Sequence, residues 1–238
     1  MTRWRKAIAA TISCLLLAGC LYPKERLAQN QISTGEYIVL IENAVNTYKA
    51  RTGVLPIKNS TALTPIYEKY VIDMKKLLDN RVISNIPVDA FEGGGTYQYV
   101  IVDPEGELRV RLLDLVAAQK AADLQRLVYS FEAREGKLPL GDRLSDEFYA
   151  IDFALLGTQR EQVRSVYSGM YLSFVMHESG DVVIQYAPDV MKAVELAGVA
   201  APDPQYDLRS YLIEQSPFAP THSYPYYWVD GQPQLAGR

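Results

Sequence analysis

One seven-residue signature, written twice, limits this chain more than any other feature. Ala50-Arg51-Thr52-Gly53-Val54-Leu55-Pro56 returns as Ala133-Arg134-Glu135-Gly136-Lys137-Leu138-Pro139, identical at five of seven positions and offset by 83. The signature is a helix exit. A cation complements the negative end of the dipole, glycine takes the left-handed stop, and proline blocks resumption. Further matches follow in the same order. Tyr70-Val71-Ile72-Asp73 pairs with Tyr149-Ala150-Ile151-Asp152 at an offset of 79, and Gly95, Tyr97 and Gly106 pair with Gly169, Tyr171 and Gly180 at 74. Order is kept while the offset shrinks, which reads as a tandem duplication whose second copy has lost loop residues. The period is too long for a solenoid, so two packed copies of one small module are expected.

Local patterning gives each copy its contents. Tyr37, Leu40, Ile41, Ala44, Val45 and Tyr48 recur at helical spacing after the capping box Ser33-Thr34-Gly35-Glu36. Tyr67, Tyr70, Val71, Met74, Leu77 and Leu78 fit a second, shorter helix. Thr96–Val102 and Glu107–Leu112 read as a hairpin turning at Pro104-Glu105-Gly106, with Leu108, Val110 and Leu112 on one face. Ala117, Ala121, Leu124, Leu127, Val128 and Phe131 then open the second copy with another amphipathic helix. After Pro188 a short helix capped by Asp189 and ended by Gly198 is expected. Residues 200–238 hold six of the thirteen prolines. Apart from a turn of helix at Asp207–Glu214, they predict an irregular extension lying across the modules. The fold class is α+β: a tandem duplication of a helix–loop–β-hairpin module with a Pro/Tyr-rich C-terminal extension. The boundaries are 35–113 and 114–188 for the modules and 189–238 for the remainder.

Residues 1–34 have a different character. Arg3, Arg5 and Lys6 precede an apolar run from Ala7 to Ala18, the build of a secretory signal. Twelve residues in a helix span roughly 18 Å, short of a roughly 30 Å hydrocarbon core. Leu17-Ala18-Gly19-Cys20 closely resembles the bacterial lipobox. That resemblance implies a signal peptide of residues 1–19, a diacylglycerol on the Cys20 sulfur, and a lipidated cysteine plus tether over 20–34. Two or more acyl chains give stable anchoring where one is marginal. Cys14 leaves with the signal, so no disulfide and no thiol nucleophile remain. Loss of Arg3, Arg5 and Lys6, with no acid among residues 1–19, takes the formal charge from −4 to −7. An acidic body argues against nucleic acid as a partner and against electrostatic docking on anionic lipid.

Each candidate for chemistry has a plainer reading beside it. The triple glycine 93–95 leads into a strand rather than a helix and lacks Lys-Ser/Thr, so it is a hairpin entry and no phosphate loop. Asp103-Pro104-Glu105-Gly106-Glu107 offers three carboxylates where a calcium loop needs six or more oxygens. His177 and His222 lack metal-ligand spacing, and no Gly-x-Ser-x-Gly elbow occurs. Asp73 and Asp152, the acids repeated in equivalent motifs, either form a symmetric carboxylate pair or fix a local turn in each copy. Tyr224, Tyr226, Tyr227 and Trp228 either stack on sugar rings or fill a groove between modules, and the second is favoured. No metal and no cofactor is expected.

Tyr48, Gly53-Val54-Leu55-Pro56, Ile86-Pro87-Val88-Asp89 and Gly95-Thr96-Tyr97-Gln98-Tyr99 together resemble the globular part of type II pseudopilins. There a helix leads through a loop into a small antiparallel sheet. The second module keeps Gly136, Leu138, Pro139, Gly169 and Tyr171. Pseudopilins polymerise through a long apolar N-terminal helix. A lipobox signal stands in its place here, so the resemblance implies a module fold and no filament. The whole chain is also similar in build to uncharacterised lipoproteins of Gram-positive bacilli, which implies membrane attachment. The expected function is a non-enzymatic interaction or scaffold protein on the outer face of the cytoplasmic membrane, held by its lipid and paired with an envelope protein. The alternative is a glycan- or small-ligand-binding protein using the C-terminal aromatics. A hydrolase built on tertiary carboxylates ranks third.

Overall fold

The computed structural model describes residues 34–62 and 64–237. The signal 1–19, Cys20 and the tether up to Ser33 lie outside the described residues. Helix α1 (Thr34–Thr52) buries Ile41, Ala44, Val45 and Tyr48 of the stripe that its spacing predicts, but takes Ile38 in place of Leu40, which is exposed, and leaves Tyr37 half-buried. It ends where the signature says it should. Gly53 adopts φ +77° and its N–H reaches the Lys49 carbonyl at 2.9 Å.

The next segment departs from expectation. In place of one helix across Tyr67–Leu78, a 3₁₀ turn (Ile66–Glu68) gives way to extended backbone, and only Met74–Asp79 coils, as α2. Sheet pairing is the cause: Ile72 N–H donates to the Tyr99 carbonyl and Ile101 N–H to that of Tyr70, both at 2.9 Å. The short apolar run was compatible with either period, and a waiting strand decided it. That strand is β1 (Tyr97–Val102), antiparallel to β2 (Arg109–Asp114). At their turn the Asp103 carboxylate accepts the N–H groups of Gly106 and Glu107, so the acidic loop serves its own backbone. Asp114 then caps α3 (Leu115–Glu135), which buries Ala117, Ala121, Leu124, Val128 and Phe131 and stops at Gly136, φ +69°.

The second half follows the same order. Strands β3 (Leu140–Arg143), β4 (Phe148–Ile151), β5 (Gln162–Arg164), β6 (Tyr171–His177) and β7 (Val182–Ile184) form one antiparallel sheet, with β6 pairing to β4, β5 and β7. The pairing Leu140↔Ile151 answers the bridge Ile57↔Ile72 of the first half. Asp152 N–H donates to the Pro139 carbonyl at 2.9 Å, as Asp73 N–H does to that of Pro56 at 2.8 Å. The halves differ after that aspartate, where the second half makes turns instead of a helix, and β5 has no counterpart strand.

Helices α4 (Ala187–Leu196) and α5 (Arg209–Gln215) and the hairpin β8 (Tyr226–Val229)–β9 (Gln232–Leu235) complete the chain. The C-terminal extension is therefore ordered, not irregular. Pro233 is tolerated inside β9 because its sheet has only two strands and its other edge is open. Alternation along β6 and β7 explains why the tail is needed. Leu172, Phe174, Met176, Val182 and Ile184 face α3, α4 and Tyr226, while Val175 and Val183 point the other way. Tyr224 and Leu235 cover that second face together with Phe148.

The same tail laces the two sheets together. Leu112 of β2 accepts from Ala219 and donates to Pro217, and Ile184 of β7 donates to His222. Residues 217–222 thus occupy the open edges of both sheets, which would otherwise present unpaired backbone groups. Three side chains fasten this strap. The Glu68 carboxylate accepts His222 N–H at 2.6 Å. Arg111 donates to the Ile213 carbonyl at 2.8 Å near the negative end of α5. Buried Arg209 grips Asp207 through Nε and Nη2, donates to the Ser223 carbonyl at 2.7 Å, and lies 4.8 Å over the Tyr67 ring. Among the described residues no helix is long and apolar enough to cross a membrane.

Candidate functional site

Four buried polar atoms have no hydrogen-bond partner in the described structure: Asp89 Oδ2, His177 Nε2, Tyr167 Oη and Asp189 Oδ1. The residues that carry the last two line one cavity of about 420 Å³ between α4, α5 and the loop joining β5 to β6, while the two oxygens themselves are sealed behind its wall.

Local sequence builds each part. In the loop Ser165–Met170, Ser165 N–H donates to Met170 and Gly169 N–H to Ser165. The Ser165 hydroxyl accepts the N–H groups of Tyr167 at 3.0 Å and Ser168 at 3.2 Å, then spends its one proton on Asp189 Oδ2 at 2.7 Å. That fixes the loop and aims the Tyr167 ring inward, where it meets Tyr186 edge-on at 5.8 Å. Asp189 was expected to cap α4. The helix instead begins at Ala187 with Tyr186 in the cap position, which leaves Asp189 in the first turn and 2 % exposed. The helix dipole favours its charge there, but Oδ1 receives no donor. Lys192, on the same face one turn on, stands at the rim. The opposite wall comes from the tail: Leu212, Pro217 and Phe218, with the Phe218 ring 5.3 Å from Tyr97 and 6.5 Å from Tyr167. Gln215 secures that wall by donating to the Ala193 carbonyl at 2.8 Å.

Burial, with the nearby Tyr186 and the Asp189 charge adding to it, holds the Tyr167 hydroxyl well above the usual tyrosine range. It is therefore a neutral donor and acceptor at any physiological pH. The cavity offers apolar and aromatic surface and, at its mouth, one ammonium, with the Asp189 and Tyr167 oxygens sealed behind that surface.

The residues singled out from sequence lie elsewhere. Asp73 and Asp152 each accept two local N–H groups, Lys75 and Lys76 in one case and Ala154 and Leu155 in the other. Both carboxylates are engaged in fixing a turn, and Asp73 also pairs with Lys76. Tyr224 stacks on His177 at 5.1 Å, meets Phe148 edge-on at 5.4 Å, and donates to Asp181 at 2.6 Å. Tyr226 is fully buried, its hydroxyl donating to Gln185 Oε1 and receiving the Tyr186 N–H, each at 2.7 Å. Tyr227 and Trp228 are half-buried on the terminal hairpin. The four aromatics do not share one open surface. Among the described residues no group of three or more His, Cys, Asp or Glu could hold a metal ion. Tyr167 gave no periodic or motif signal and Asp189 was read only as a helix cap, because what brings the loop and helix together is the Ser165–Asp189 bond across 24 residues.

Residues 34–114 match the YphF family N-terminal domain. The matched YphF-type region runs from the start of α1 to the end of β2 and stops one residue before α3. The cavity, built from residues 166–218, lies outside it. No curated protein and no solved structure is significantly similar to the chain.

Proposed function

We propose that this chain is a lipid-anchored protein of the bacterial envelope that works by binding, and that the cavity beside α4 is where it binds. The anchor is the diacylglycerol inferred on Cys20, which places the body on the outer face of the cytoplasmic membrane. The observation that carries the binding role is the cavity of about 420 Å³ itself, walled by Tyr167, Leu212, Pro217 and Phe218 with Lys192 at its mouth. No turnover is assigned to the site: the Tyr167 hydroxyl is held neutral, and the hydroxyl beside Asp189, that of Ser165, is buried and accepts the N–H groups of Tyr167 and Ser168.

The halves are read as tandem copies. The support is the shared order of elements, the repeated Pro–Asp backbone bond and the repeated aspartate caps. A second reading, a rigid scaffold that docks an envelope protein, draws on how tightly the tail interlocks those halves. One pair of experiments separates the readings. Membrane fractionation of wild type and Cys20→Ala tests the anchor, which fails if the variant stays with the membrane. A thermal-shift screen of small polar metabolites and cell-wall fragments tests the cavity. Hits should vanish in Leu196→Trp, which places a ring at the mouth from a position already 70 % exposed. A screen without hits, alongside specific crosslinks to one membrane protein, would favour the scaffold.

A further inference from the structure

The lining of the cavity beside α4 sorts into apolar walls and unspent donors. Leu212, Pro217 and Phe218 wall it on the tail side, and Leu196 stands at its edge, 70 % exposed. The Tyr167 ring adds aromatic surface, while its hydroxyl and Asp189 Oδ1 are sealed behind the wall and touch nothing inside. Lys192 is exposed and also lines the cavity. Acids stand at both helical contact positions beside it, Asp189 three residues before and Glu195 three residues after. Even so, no ion pair among the described residues includes Lys192. Ser168 and Ser216 line the same cavity. Each accepts a backbone N–H, from Met170 at 3.3 Å and from Phe218 at 3.2 Å, and each keeps its hydroxyl proton.

These groups decide the sign of a ligand and which way round it lies. Unspent donors call for an acceptor, and an ammonium beside apolar walls calls for a negative one, because the low local dielectric strengthens the pair. A cation would meet Lys192 at the mouth and could not reach Asp189 Oδ1 for relief. The carboxylate behind the wall disfavours an anion deep inside, so the charged head belongs at the mouth and the apolar part within. One ammonium balances one negative charge, which suits a carboxylate better than a phosphate. About 420 Å³ lies near the lower end of the roughly 300–1,000 Å³ that ligand pockets span, so the tail is short. We propose that the cavity binds a small amphipathic carboxylate, its head at Lys192 and its apolar tail against Leu212, Pro217 and Phe218. This rests on the binding role proposed above and names its ligand class.

Four probes test it on the full-length protein in phosphatidylcholine nanodiscs: 3-phenylpropanoate, its neutral amide, 3-phenylpropylamine and acetate. The first three share a tail and differ in charge, while acetate keeps the charge and lacks the tail. Backbone amide shifts at Tyr167, Ala193 and Phe218 report binding at the site. 3-Phenylpropanoate should bind, and its amide about tenfold more weakly, the step expected when a charge-assisted bond becomes a neutral one. The amine and acetate should not bind measurably. Lys192→Gln, at an exposed position, should bring carboxylate and amide to equal affinity, and Lys192→Arg should keep the preference. Carboxylate and amide binding alike to wild type, the amine binding better than either, or Lys192→Gln keeping the preference would overturn the anion and leave the binding role standing. Acetate binding as well as 3-phenylpropanoate would overturn the apolar tail. No shift with any of the four probes would overturn the ligand class, and a thermal-shift screen that also stays empty would take the binding role with it.

Discussion

Tyr226→Phe removes one oxygen atom and should lower the melting temperature by about 4–12 °C. Tyr226 is 0 % exposed, and its ring packs in the main core with α3, β6 and α4. Phenylalanine keeps that packing, so the change isolates the hydroxyl. The hydroxyl accepts the Tyr186 N–H at 2.7 Å and donates to Gln185 Oε1 at 2.7 Å. Tyr186 is buried at the corner between β7 and α4, and its N–H has no water to turn to. Stranding a buried donor costs about 1–3 kcal/mol. Gln185 is half-buried and can recover part of its lost bond from solvent, so a total of about 2–3 kcal/mol is expected. For a chain of this size each kcal/mol moves the midpoint by about 2–4 °C. Scanning calorimetry of wild type, Tyr226→Phe and Tyr227→Phe makes the comparison, with the half-buried Tyr227 as the control expected to stay within about 0.5 kcal/mol. A Tyr226→Phe midpoint within a degree of wild type, or equal losses in both variants, would refute the claim that the tail is part of the core.

Arg209→Met should cost about 3 kcal/mol, the low end for breaking a buried pair, because Asp207 keeps 25 % of its side chain in solvent. Adding Asp207→Asn should restore part of that in urea unfolding, and strict additivity would mean the two are not coupled. Alkaline titration provides an independent check. Burial, the leading cause in each case, raises the hydroxyl pKa of Tyr167, Tyr186 and Tyr226 above the unfolded value near 10. Their stabilising contribution is complete below about pH 10 and is lost as pH climbs from there towards each folded value, by up to about 1.4 kcal/mol per unit per group. Phenolate absorbance should therefore show a late subset of the seventeen tyrosines appearing together with the loss of circular dichroism; smooth titration of all of them near pH 10 would contradict their burial. Asp73→Ala and Asp152→Ala should each cost about 1 kcal/mol as lost caps, measured by chemical denaturation, and neither should change binding at the cavity.

Much of the backbone course was legible because it is written in local chemistry. Gly53 and Gly136 end their helices where a basic residue, a glycine and a proline fall in order, as the repeated signature predicts. Such signals do not depend on what packs where. The segment Tyr67–Leu78 was misread because its apolar spacing suits both a helix and a strand, and the choice was made by Tyr99 and Tyr70 carbonyls that sequence does not bring together. The tail was misread for a related reason. Its prolines suggested irregularity, but a two-stranded hairpin at the surface tolerates Pro233, and the residues that pair with Leu112 and Ile184 use main-chain atoms that carry no sequence signature. Asp189 was read as a helix cap and Tyr167 was not read at all, because the loop–helix bond that sets both, Ser165 to Asp189, joins residues that no local pattern pairs.

The strap and the cavity are one construction seen from two sides. Residues 217–219 fill the edge of β2, and the same turn of chain sets Pro217 and Phe218 against Tyr167 and α4. The wall of the site therefore exists only while the tail is docked on the first sheet. A ligand seated against Phe218 would bind the laced state and not one with the tail released, and at a hundredfold excess over its Kd it would stabilise that state by about 2.7 kcal/mol. This is comparable to what Arg209 or Tyr226 is expected to contribute to the same closure. Occupancy of the cavity and engagement of the two halves are then linked quantities.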